Sequence, residues 1–150
     1  MKNIKFVKLE KGFSLVEMLV VLFILSVILL VIVPSFQQQK NSLEMSYFLK
    51  ELEQDLYYYQ MVAMTNGRSV RFVFYSNSPN YYVLDGARLI HEKQGPVGLK
   101  FIPRSLELNE LRFTANGGIL KAGRIEINLG GEKVHLVFHL LRGRFYFTEV

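Results

Sequence analysis

The sequence predicts an α+β chain: one long N-terminal helix, membrane-spanning in its first half and amphipathic in its second, packed on a C-terminal antiparallel β-sheet. Three observations predict those elements. Residues 13–33 form an apolar run of 21 in which only Ser14, Glu17 and Ser26 are not apolar. Beyond Pro34, Met45, Phe48, Leu52, Leu56, Tyr59 and Ala63 recur at spacings of three or four, which places them on one helix face. From Arg68 onward the apolar period becomes two, the alternation of half-buried strands.

A helix of 21 residues spans about 30 Å, the thickness of a bilayer's hydrocarbon core. Lys2, Lys5, Lys8 and Lys11 precede the run and predict that the N-terminus stays cytoplasmic while the C-terminal part lies outside the membrane. A cleaved secretory signal fits poorly. The run is too long, contains a carboxylate, and ends in Val33-Pro34-Ser35-Phe36 with no small-residue cleavage pair. A plain signal anchor explains the length and the lysines but not Glu17.

A carboxylate within a membrane helix costs on the order of 2.5–3.5 kcal/mol and marks a functional partner. The apolar run holds no basic residue. Cleavage between Gly12 and Phe13, directly before it, would create an α-amino group four residues ahead of Glu17, one helical turn away. That amine could neutralise the Glu17 of a neighbouring subunit and set the axial register between subunits. Lys11-Gly12-Phe13-Ser14-Leu15-Val16-Glu17-Met18, followed by apolar residues, resembles the processing motif of type IV prepilins and pseudopilins. The resemblance implies a prepilin peptidase that cuts after Gly12 and methylates Phe13, and it puts Pro34 at the family's helix kink. It further implies assembly with other pilins or pseudopilins, on an inner-membrane platform driven by a separate ATPase.

The later part of the helix carries Glu44, Lys50, Glu51, Glu53 and Asp55 on its other faces and should end near residue 65, capped by Asn66-Gly67. Tyr59 is expected in the core, with Tyr57 and Tyr58 flanking it. Strands are expected at residues 69–75, 81–84, 99–102, 111–114, 124–129, 133–140 and 145–147, separated by Gly-, Asn- and Pro-containing turns. The clearest hairpin is built around Gly130-Gly131, with Val134, Leu136, Phe138 and Leu140 on its apolar face. The chain thus divides into a basic leader (1–12), a membrane and filament-core helix (13–33), its amphipathic continuation (34–66) and a β-rich head (67–150).

The head carries a second resemblance. Leu111-Arg112-Phe113-Thr114 with Asn116-Gly117-Gly118, then Gly123-Arg124-Ile125 and Gly143-Arg144-Phe145-Tyr146, is similar to the minor pseudopilins of Gram-positive competence systems, of the ComGD type. It is similar also to minor pilins of type II secretion and of type IV pili. What this implies is a low-abundance subunit that helps to build a short pilus for DNA uptake, first a single-pass protein of the cytoplasmic membrane and later part of a surface filament.

The residues exclude most chemistry. With no cysteine there is no disulfide, thiolate metal site or cysteine nucleophile. His135 and His139 have the spacing of a helical zinc site, but in a strand they stand about 13 Å apart, too far for one metal. No phosphate-binding loop is present, no cofactor is expected, and no serine or His91 sits in a nucleophile motif. Glu107 and Glu110 are expected to be solvated. Charge leaves one binding possibility. The net +5 hides an acidic helical part of −3 between a +3 leader and a +5 head, so any polyanion argument rests on the head. Arg142 and Arg144, flanking Gly143 before Phe145 and Tyr146, are candidate DNA contacts, set against their reading as an ordinary solvated turn. The rival functions are a pseudopilin of a protein-secretion system and a signal-anchored surface domain that binds DNA.

Overall fold

A computed structural model describes residues 14–140 and 143–149, and for residues 31–38 the backbone alone. The chain falls into two compact units, Met1–Gln37 and Gln38–Val150. In the first, the described residues belong to helix α1 (Leu15–Asn66) and the residue before it. Nothing in its opening turns breaks a helix, and Ser26 returns its hydroxyl to the Leu22 carbonyl at 2.8 Å. Such back-bonding lets a polar side chain sit in a helix without an outside partner. Pro34 lies inside α1 and does not end it.

The second unit begins with the later turns of α1. Met45, Leu52, Leu56 and Ala63 are all 0% exposed, as the three-four spacing requires. Tyr59 is buried, while Tyr57 and Tyr58 are exposed. The helix stops where Gly67 adopts φ 61° and the Arg68 N–H bonds back to the Ala63 carbonyl at 3.2 Å. That 6→1 bond is the Schellman arrangement, and the left-handed residue it needs is why glycine stands there.

Eight strands follow: β1 (Val70–Phe74), β2 (Tyr81–Asp85), β3 (Arg88–Lys93), β4 (Lys100–Pro103), β5 (Arg112–Phe113), β6 (Gly123–Leu129), β7 (Glu132–Phe138) and β8 (Phe145–Glu149). They form two antiparallel sheets rather than the single sheet expected, in the orders β3-β2-β1-β5 and β4-β6-β7-β8. The helix-on-sheet α+β layout stands, with its strands divided. In the β6–β7 hairpin Leu129 pairs with Glu132 around Gly130 (φ 60°) and Gly131 (φ 96°). Two consecutive positive φ values make the primed turn whose twist matches a two-residue hairpin.

Alternation decides what each strand buries. In β1, Val70, Phe72 and Phe74 are buried and the residues between them are half-buried. In β7, Val134, Leu136 and Phe138 point inward. Leu140, expected to continue that face, is 58% exposed because β7 ends at Phe138. Rings join the layers: Phe101 of the second sheet lies 4.8 Å from Phe74 of the first and 6.1 Å from Phe48 of α1. The β4–β5 connection ties both sheets, since Leu106 N–H bonds to the Arg124 carbonyl and Phe74 N–H to the Leu108 carbonyl.

β3 was not foreseen. Its sequence, Arg-Leu-Ile-His-Glu-Lys, lacks clean alternation because it is an edge strand with no residue fully buried. It pairs with β2 alone, and its register shifts at Val83/Leu84.

Candidate functional site

Two regions were singled out by the sequence, the start of the helix and the Arg142–Arg144 turn. Gly12 and Phe13 lie outside the described residues, as does Arg142. Glu17 lies in the first turn of α1, where the Met18 N–H already bonds to the Ser14 carbonyl at 3.2 Å. A carboxylate there opposes the positive end of the helix dipole, which favours it by about 0.3–1 kcal/mol. Among the described residues no cation or hydrogen-bond donor meets it.

Around Glu17 every described side chain through residue 30 is exposed. The large apolar ones run from 44% exposed at Val21 to 77% at Leu30. Water does not tolerate such a surface on this scale without a cover. Among the described residues no helix is long and apolar enough to cross a membrane; the side chains of residues 31–33, the last three of the apolar run, lie outside that description.

In the head, Arg144 is exposed and lines a cleft of about 940 Å³ together with Tyr57, Gln60, His139, Phe145 and Tyr146. The cleft is held open by Gln60, whose Nε2 donates to the Gly117 carbonyl at 2.6 Å and to the Gly143 carbonyl at 3.3 Å. His139 stacks on Tyr146 at 5.5 Å. With Arg144 as its one described lysine or arginine, the cleft makes a weak anion site by itself. His135 does not join His139; its Nε2 lies 3.4 Å from Glu126 Oε2. Among the described residues no cluster of His, Asp and Glu could hold a metal.

The structure assembles two polar clusters that the sequence reading missed. On the second sheet Glu126, 2% exposed, accepts from Arg104 Nε at 3.0 Å and Nη2 at 2.6 Å, besides its contact with His135. The bonded guanidinium holds the Glu126 carboxyl below the usual glutamate range, against the opposing effect of burial. Between α1 and β2, Asp55 Oδ2 accepts from the Tyr81 hydroxyl at 2.5 Å. Burial first, and then this bond, push the Tyr81 phenol far up. His91 Nε2 sits 3.1 Å from the same oxygen, at ion-pair distance but without hydrogen-bond geometry. Of the carboxylates expected to be solvated, Glu107 is exposed while Glu110 accepts from Lys121 at 2.7 Å, which draws its carboxyl below the usual range.

Comparison with known proteins bears on both ends of the chain. Residues 7–33 match the family model for the prokaryotic N-terminal methylation motif. No curated protein sequence matches. Among solved structures, the minor pseudopilin EpsH from the type 2 secretion system of Vibrio cholerae superposes with a TM-score of 0.57 at 11% identity. The match covers 71% of this chain and 97% of that one. In fold the chain is like that minor pseudopilin. At that identity the structural likeness speaks for the fold, and the motif speaks for the N-terminus. The motif suggests a membrane-anchored N-terminus.

Proposed function

We propose that this pilin-like chain is a minor pseudopilin of a competence pilus, of the ComGD type, needed to assemble the filament that takes up DNA. Its N-terminal leader, residues 1–12, is removed after Gly12 and Phe13 is methylated. Residues 13–33 cross the cytoplasmic membrane once, N-terminus inside, and then pass into the core of a filament, with Pro34 as the bend between that segment and the amphipathic residues 34–66. The observation that carries this reading is the exposed apolar helix with Glu17 in its first turn, one turn beyond the Gly12–Phe13 junction. In the filament Glu17 pairs with the new amine of a neighbouring subunit. The turn motifs of the head, similar to those of competence pseudopilins, support the choice of machine.

The fold's likeness to EpsH favours a second reading, a minor pseudopilin of a type II-like secretion system. Deletion of the gene followed by a transformation assay separates the two. Competence predicts loss of transformation with secretion intact, and secretion predicts the reverse. Within either machine, Glu17→Val should leave membrane insertion unchanged and reduce incorporation into the filament. Wild-type incorporation of that variant would sink the pairing.

A further inference from the structure

The β4-β6-β7-β8 sheet has two faces of very different character. Ile125, Ile127, Val134 and Leu136 turn inward and are buried. The alternate positions turn outward, and there Lys100, Arg124 and Lys133 are exposed, each without an ion pair among the described residues. The carboxylates of these strands do not balance them. Glu126 is the one acid on the outward alternation, and it is buried beneath Arg104 and His135. Glu132 and Glu149 fall on the opposite alternation and line a pocket with Ser42 and Met45 of α1. Solvent therefore meets a surface whose exposed charges are all positive.

We propose that this outward face binds the phosphate backbone of duplex DNA, without reading its sequence. Register fixes where the cations stand. Lys100 and Lys133 pair with the same residue, Asn128, from opposite sides, so their backbones lie about 10 Å apart across two strand spacings. Arg124 lies four residues along β6 from Asn128, about 13 Å away. A duplex carries one negative charge per about 1.7 Å of its axis, so a patch of these dimensions meets several phosphates at once. The sheet fixes the backbones of these cations, so binding orders their side chains alone, and a stiff duplex loses little in return. A flexible polyanion would have to be ordered at an entropic cost. Arg104, still half-exposed while bonded to Glu126, adds a fourth cation at the edge. No base-reading element accompanies the patch, which is why the binding is independent of sequence.

The proposal deepens the DNA-uptake reading and takes its biological setting from it. Loss of transformation on deletion, with no DNA binding by the chain, would keep that reading and overturn this one. The test uses the full chain in a neutral detergent with a fluorescein-labelled duplex of random sequence, titrated by anisotropy at several salt concentrations. Saturable binding is expected, with log K falling against log salt at a slope of about −3. Arg124→Glu with Lys133→Glu should flatten the slope by about 2 and weaken binding about tenfold or more at low salt. Arg88→Glu, the same charge reversal made once at an exposed position of β3 on the other sheet, should alter neither. The leader lysines are common to all the variants and cancel in the comparison. Circular dichroism checks that each variant folds; should the double variant fail, Lys133→Ala must flatten the slope by about 1. Unchanged binding by a folded variant, equal weakening by Arg88→Glu, or saturable binding of polyphosphate but not of the duplex would each overturn the proposal.

Discussion

Leu22 and Leu52 are the same residue on the same helix, yet the first is 58% exposed and the second 0%. Around Leu52 the apolar residues occupy one face, and the chain supplies their cover from two sheets. Around Leu22 they occupy every face, and among the described residues nothing covers them. Leaving half of such a side chain in water forgoes on the order of 1 kcal/mol. Over fourteen exposed apolar side chains between Leu15 and Leu30 the total reaches the whole net stability of a small domain, about 5–15 kcal/mol. An amphipathic helix of this kind stabilises its own domain. One that is apolar all round is written for an outside solvent or partner, and under the proposed pairing the Glu17 carboxylate makes that partner specific.

The contrast can be broken most sharply by equal truncations in the two stretches. Leu52→Ala should cost about 2–5 kcal/mol and lower the melting temperature of the head by circular dichroism in detergent, whereas Leu22→Ala should leave that transition in place. Equal losses would mean that the first stretch is also structural. A smaller effect is expected at Glu126, where the head buries a polar group with its partners supplied. Glu126→Ala removes the acceptor of two charged hydrogen bonds and should cost about 2 kcal/mol in urea unfolding. Because the folded carboxyl titrates below its usual value near 4.3, its contribution is complete above that pH and is lost as pH falls through the folded value. The melting temperature of Glu126→Gln should accordingly depend less on pH below about 4 than that of the native chain.

Asp55→Asn weakens the bond that holds Tyr81 to α1 and should cost about 1 kcal/mol. The smallest change belongs to Lys93→Ala, which removes a half-exposed ion pair with Glu51 at 2.9 Å and should shift stability by less than about 1 kcal/mol. A larger loss there would mean that surface charges, rather than the apolar face, clamp the helix to the first sheet.

Local chemistry made much of this legible from the sequence. The helix face from Met45 to Ala63, its glycine cap and the Gly130-Gly131 hairpin each rest on periods or turn residues a few positions apart, and each stands in the structure. What was missed is non-local. The division into two sheets depends on β1 pairing with β5 and on β4 pairing with β6, across intervening strands. Glu126 reads in sequence as an ordinary outward polar residue between Ile125 and Ile127; only Arg104, 22 positions away, makes it a buried partner. Asp55, Tyr81 and His91 come together across even longer separations. At the helix start, the offsets of Gly12, Phe13 and Glu17 are the sole carriers of the proposed processing and pairing, since a pairing between subunits would leave no contact within one chain.

The central claim is that the apolar helix is unmasked by a cut and then used for assembly. Intact-mass measurement of the chain isolated from its own membrane tests this most directly, in cells with and without their prepilin peptidase. The account predicts a mature chain lacking residues 1–12 and carrying one added methyl group on Phe13, with the full-length form accumulating when the peptidase is absent. A mature chain that retains residues 1–12 in cells with active peptidase would contradict it.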